Sequence, residues 1–139
     1  MSVVSEFRLL QTVSARGCHP NVLIVCEDDL VDAVVAHVTR WSPRPLYVCT
    51  PDAWRLPNQA GVTLVLKELW SLTSAQQTAL FEWMNANGEG TQVVSVARPG
   101  LQEHVRSGAF LEALFFRLNI LQIEIARTQT NSLWLARVG

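Results

Sequence analysis

"VLIVCEDDLVDAVVAHV" spans Val22–Val38. Its opening apolar run is the kind expected of a strand buried on both faces of a parallel sheet. Glu27, Asp28 and Asp29 follow, and Leu30, Val34, Val35 and Val38 then recur at helical spacing. A strand, a tight acidic turn and a helix over 29–41 are the first unit of an α/β domain, and "SPRP" (42–45) ends the helix.

Ligands of such sheets sit beyond the carboxyl ends of the strands, where this turn lies. A phosphate there requires N–H groups aimed at the anion, glycines that permit close approach, and a lysine. "CEDDLVD" (26–32) has neither glycine nor lysine, and its carboxylates repel phosphate at short range. Carboxylates of this kind can hold magnesium. They also suit a helix start, with Asp28 or Asp29 as the cap, and that reading covers more of the pattern.

Outward from this unit, "LYVCT" (46–50), "VTLVLKEL" (62–69), "TQVVSVA" (91–97) and "NILQIEIA" (119–126) read as further strands. Helices are expected over 3–15 (Val3, Phe7, Leu10 and Val13 on one face), over 74–87, from Pro99 to Arg106, and over 109–118. Thr73 or Ser74 caps the 74–87 helix and Gly88 stops it. "SLWLARV" (132–138) fits a strand or a short helix equally well. Strands alternating with helices predict one three-layer α/β domain with a parallel sheet between right-handed crossovers.

Eleven basic residues face twelve acidic ones, for a net charge of -1. That balance argues against a generic nucleic-acid or anionic-membrane surface. The amino-terminal stretch is not laid out as a signal peptide, and no apolar run is long enough to span a bilayer, so a cytoplasmic protein is expected. Cys18, Cys26 and Cys49 are odd in number and lack zinc spacing, which suits reduced thiols. Cys26 and Cys49 both end strands, which would let them lie close together. His19, His37 and His104 are scattered, so no metal and no cofactor is expected. No serine elbow or cysteine–histidine pair is legible. Trp41, Trp54, Trp70, Trp83 and Trp134 read as core or rim residues rather than a binding surface.

"SGAFLEALFFRLNILQIEI" (107–125) is the most specific segment. It resembles a stretch of the ATPase domain of sigma-54-dependent transcriptional activators, with Gly108, Phe110, Leu114, Arg117, Leu118 and Asn119 in register. "TQVVSVARPGLQEHVRSG" (91–108) is similar to the strand and helix before that stretch. "GVTLVLKELWSLTSAQQTALFEWM" (61–84) resembles the family's Walker B segment, and 21–50 its Walker A strand, helix and next strand. The resemblance covers 21–125, with 1–20 as lead-in and 126–139 as an extension. It implies an AAA+-like, P-loop-type core: a five-stranded, mainly parallel sheet in the order 5-1-4-3-2, with no helical lid.

Set against the family pattern, the residues of nucleotide chemistry are replaced. Cys26, Glu27, Asp28 and Asp29 stand in the phosphate loop, and Lys67 stands where an aspartate would help hold magnesium. Glu68 alone remains, at the place of the water-activating glutamate, as a vestige with Lys67 or Arg98 as its expected partner. Arg98 occupies the sensor asparagine position. Of two arginines that reach a neighbour's nucleotide, one position is Leu111 and the other keeps Arg117, a candidate to act in trans or a structural helix residue. Only "PDAWRLPNQA" (51–60) spans the gap where the family carries its sigma-54-contacting loop. Phosphoryl transfer needs positioned phosphates, metal and a water-orienting group. The resemblance therefore implies a non-catalytic domain of transcription regulation or signalling that acts by protein contact. Its partner would be an intact activator or another regulator, with homo-oligomerisation open. The alternative is a receiver-like module of a two-component system that signals without aspartate phosphorylation. It would place strand 21–26 between the second and third strands, whereas the activator-type core places it beside strand 119–125.

Overall fold

The computed structural model describes residues 19–42, 44–87, 90–127 and 134–138. The helix expected over 3–15, Cys18 and the Gly88 stop lie outside them. Strands β1 (Val22–Val25), β2 (Leu46–Cys49), β3 (Thr63–Leu66), β4 (Gln92–Ala97), β5 (Leu121–Arg127) and β6 (Trp134–Val138) form one sheet in the order β2-β3-β4-β1-β5-β6. The first five are parallel in the expected order, and β6 adds antiparallel to β5, so that within the undecided 132–138 stretch the described residues 134–138 are strand. β1 lies between β4 and β5. The receiver alternative fails here, because β3 and β4 intervene between β1 and β2.

The burial pattern follows from this order. Every residue of β3 and β4 is buried, because helices cover both faces of the central strands. Helix α1 (Val31–Trp41) lays Val31, Val34 and Val38 on Ile24, Val65 and Val94. On the opposite face, α2 (Ser74–Asn87), α3 (Leu101–Ser107) and α4 (Glu112–Leu118) bring Leu80, Met84, Leu101, Leu114 and Leu118 onto Leu23, Leu64 and Leu66. Odd and even strand positions thus serve separate halves of the core. Trp54, Trp70 and Trp83 pack half-buried against the second half, as core-rim residues.

The acidic turn differs from its expectation. A 3-10 turn over Asp28–Leu30 precedes α1, so the N-cap positions are Glu27 and Leu30, and neither makes a side-chain cap hydrogen bond. Starting the turn one residue early takes Asp28 and Asp29 out of the cap position and leaves their charge in the first turn, where the helix dipole favours it. Thr73 does cap α2. The Gln76 N–H donates to Thr73 Oγ1 at 3.1 Å and the Thr73 N–H to Gln76 Oε1 at 3.0 Å, a reciprocal capping box.

Cys26 and Cys49 are not neighbours. Their strands are three steps apart in the sheet, about 14 Å at the usual strand spacing, and the two thiols belong to different core halves. Both are free and buried.

Side-chain amides tie distant segments together. Asn21 Nδ2 donates to the Arg117 carbonyl at 2.9 Å and its Oδ1 accepts the Val93 N–H at 2.8 Å, which holds α4 and β4 to the start of β1. Gln92 Nε2 donates to the Pro20 carbonyl at 2.8 Å, and the Thr63 hydroxyl donates to Gln92 Oε1 at 3.1 Å. The Arg44 guanidinium bridges the carbonyls of Gly61 and Gly90, which sit just ahead of β3 and β4.

Gln77 is buried under α4's lead-in. Its Nε2 donates to the carbonyls of Leu72 (3.2 Å) and Ala109 (3.0 Å), and its Oε1 accepts the Leu111 N–H (2.7 Å). Removing it strands these groups away from water. Gln77→Ala is expected to lower unfolding free energy by about 2–4 kcal/mol, read from urea denaturation.

Candidate functional site

The carboxyl ends of β1, β3 and β4 open onto a cleft of about 460 Å3 lined by Asp28, Val31, Asp32, Lys67, Glu68, Trp70 and Arg98. Lys67 follows β3 directly, and its N–H is held by the Cys49 carbonyl at 3.0 Å. Its Nζ lies 2.9 Å from Asp32 Oδ1. Arg98 follows β4; its Nη1 is 3.7 Å from Asp28 Oδ2, and its guanidinium sits 4.8 Å from the centroid of the Trp70 ring. Asp28 and Asp32 are four residues apart, which puts both on one face of the turn and α1, opposite the two cations.

Glu68 pairs with neither Lys67 nor Arg98, contrary to the sequence expectation. The aspartates of the first turn take both cations. Glu68 adopts a left-handed backbone with φ of 56°, and no other non-glycine among the described residues has positive φ. That conformation costs on the order of 1 kcal/mol for a residue with a Cβ. It turns the chain sharply from β3 into a 3-10 turn over Leu69–Ser71.

The cleft wall carries three carboxylates against two cations, and each cation already has an anionic partner. Three backbone donors around the turn are also engaged. The Cys26 N–H donates to the Ala97 carbonyl at 2.9 Å, the Leu30 N–H to the Glu27 carbonyl at 3.0 Å, and the Val31 N–H to the Asp28 carbonyl. An anion entering here would meet net negative charge.

Arg117 stands elsewhere. It is half-buried, its Nη1 donates to Asn85 Oδ1, and its guanidinium lies 5.7 Å from the Phe81 ring centroid. With Asn21 and Thr91 it borders a hollow at the amino ends of β1 and β4. The length of β4 separates this end from Arg98, about 20 Å by strand rise. Sequence reasoning singled out Lys67, Glu68, Arg98 and Arg117. It missed Asp32 and Trp70, although the four-residue spacing of Asp28 and Asp32 was a usable signal.

The sigma-54 interaction domain family model matches residues 14–127. The chain belongs to the sigma-54 interaction domain family. Solved structures support the fold. NtrX from Brucella abortus in complex with ATP superposes with a TM-score of 0.66 at 15% identity, over 89% of this chain and 35% of that one. Another NtrX structure from Brucella abortus gives 0.65 at 14% identity, over 91% and 37%. The chain thus spans little more than a third of NtrX. The P-loop NTPase domain of a sigma-54 transport activator from E. coli gives 0.56 at 15% identity, over 87% and 92%. No curated protein sequence matches the chain significantly. Among the described residues, no helix is long and apolar enough to cross a membrane, and no three His, Cys, Asp or Glu side chains converge on a metal position.

Cys26, directly after β1, has a strongly altered ionisation. Burial, with Asp28, Glu27 and Asp29 nearby, pushes its thiol from 9.0 up to about 12. Burial also raises the Cys49 thiol, opposed by the N–H of Arg55. Near pH 8 the folded chain therefore carries about a thousandfold less Cys26 thiolate than the unfolded chain. In a Cys18→Ser background, alkylation of native protein at pH 8 is expected to spare Cys26, and denaturant is expected to release it. The folded state holds this proton more tightly, so the stability it contributes is full below pH 9 and declines as pH rises toward about 12.

Proposed function

We propose that this chain is a non-catalytic sigma-54 activator-like domain that regulates transcription or signalling through protein–protein contact, without hydrolysing ATP. One observation carries the reading: the strand-end cleft is neutralised from within by the pairs Lys67–Asp32 and Arg98–Asp28. A triphosphate needs unpaired donors and a bound magnesium to offset its charge. Here both cations have carboxylate partners, and Lys67 brings positive charge to the metal position of the related pattern.

Family membership supports the domain type, and the fold shared with P-loop proteins supports descent from a nucleotide-binding frame. The short segment 51–60 favours a partner surface other than the long family loop described for the sequence. An intact activator or another regulator in the cytoplasm is the partner class that fits. Arg117 favours a structural role, because Asn85 and Phe81 already engage its guanidinium.

Calorimetric titration with ATP and magnesium is expected to give no binding heat up to about 1 mM nucleotide, the weak end of measurable affinity. Micromolar affinity, or phosphate release above the buffer rate, would overturn the reading.

A further inference from the structure

β2 is an edge strand, and its pairing shows which of its backbone groups have no partner among the described residues. The Thr63 N–H donates to the Pro45 carbonyl and the Lys67 N–H to the Cys49 carbonyl. With Tyr47 opposite Leu64, Pro45, Tyr47 and Cys49 therefore turn their polar groups toward β3. Leu46 and Val48 must turn theirs the other way, to the open edge of the sheet. A strand edge with unpaired N–H and C=O groups is a template for another strand.

The edge also has a shaped wall. Tyr47 and Val48, exposed at 41% and 48%, line a groove of about 450 Å3 with Arg55, Leu56, Pro57, Asn58 and Gln59. The wall is held in place. Trp83 Nε1 donates to the Pro57 carbonyl at 2.8 Å, the Arg55 N–H to Cys49 Sγ at 3.3 Å, and Gln59 Nε2 to the Tyr47 hydroxyl at 2.7 Å. Arg55 is the groove's only charged residue and is exposed. It enters no ion pair among the described residues.

We propose that the free edge of β2 binds an extended, acidic peptide segment of a partner protein as an additional strand. The added backbone pairs with Leu46 and Val48, an apolar side chain covers Val48 or Tyr47, and a carboxylate meets Arg55. This is strand addition, with main-chain hydrogen bonds giving affinity and alternate side chains giving selectivity. The inference rests on the proposed contact role only in making the occupant a protein. Nucleotide titration tests that role at the strand carboxyl ends, whereas the edge is read from its own amides.

The full chain is titrated with an acetylated, amidated octapeptide of alternating valine and threonine around a central glutamate. Controls are its lysine counterpart and a proline-interrupted counterpart. The glutamate peptide is expected to slow amide hydrogen exchange at Leu46 and Val48, and the lysine peptide to bind roughly fivefold more weakly. Arg55→Glu, an exposed loop change, is expected to reverse that preference. Val48→Pro removes an edge-facing N–H while leaving the β3 ladder intact, and is expected to abolish binding. The proposal is overturned if millimolar glutamate peptide leaves these amides unprotected, or if the proline-interrupted peptide binds equally well. It is also overturned if protection follows protein concentration alone, which would make a second copy of the chain the occupant.

Discussion

The central strand β4 is buried at all six positions, so its backbone must be fully paired and its ends must be fixed without help from water. β3 and β1 flank it in register, Thr63 against Gln92 and Val22 against Val94. Gln92 and Asn21 then close its amino end. One bonds the Pro20 carbonyl and the Thr63 hydroxyl; the other bonds the Val93 N–H and the Arg117 carbonyl. This amide frame positions the starts of β1 and β3 on either side of β4. Because the strands are short, it also sets where their carboxyl ends emerge.

The cleft at those carboxyl ends is a consequence of the frame, and its chemistry is decided locally. Two cations emerge from β3 and β4, and two aspartates from the first turns after β1. These pairs are largely exposed, so each adds little to stability. Their effect is electrostatic. They remove the excess positive potential that would attract a polyphosphate and leave a slight negative balance. The Arg98–Trp70 contact holds the guanidinium against an aromatic face.

Much of the fold was legible because apolar runs and helical periodicity are repeated signals. The sheet order came from the resemblance carried by 107–125, and β1 is found beside β5 as that resemblance requires. The cap of the 74–87 helix was legible as Thr73 or Ser74, and the structure selects Thr73 and adds Gln76 as its reciprocal partner. What escaped was short-range geometry that periodicity does not encode. The 3-10 turn shifted the helix start by one residue, which undid the capping assignment for Asp28 and Asp29. The crossovers set two strands between β1 and β2, which separated Cys26 from Cys49. Ion-pair partners depend on which strand ends are neighbours, so Lys67 was legible as a departure but Asp32 was not legible as its mate.

The bonds of Asn21 reach 72 and 96 residues along the chain. A ribosome releases β1 long before β4 and β5 exist to receive it. Until β4 has been made, 72 residues after Asn21, "VLIV" is an apolar segment with no sheet partner on either side. Loop closure over such distances is slow compared with local helix formation. The nascent chain is therefore most exposed to wrong pairing before β4 is made, at a strand that ends in the middle of the finished sheet.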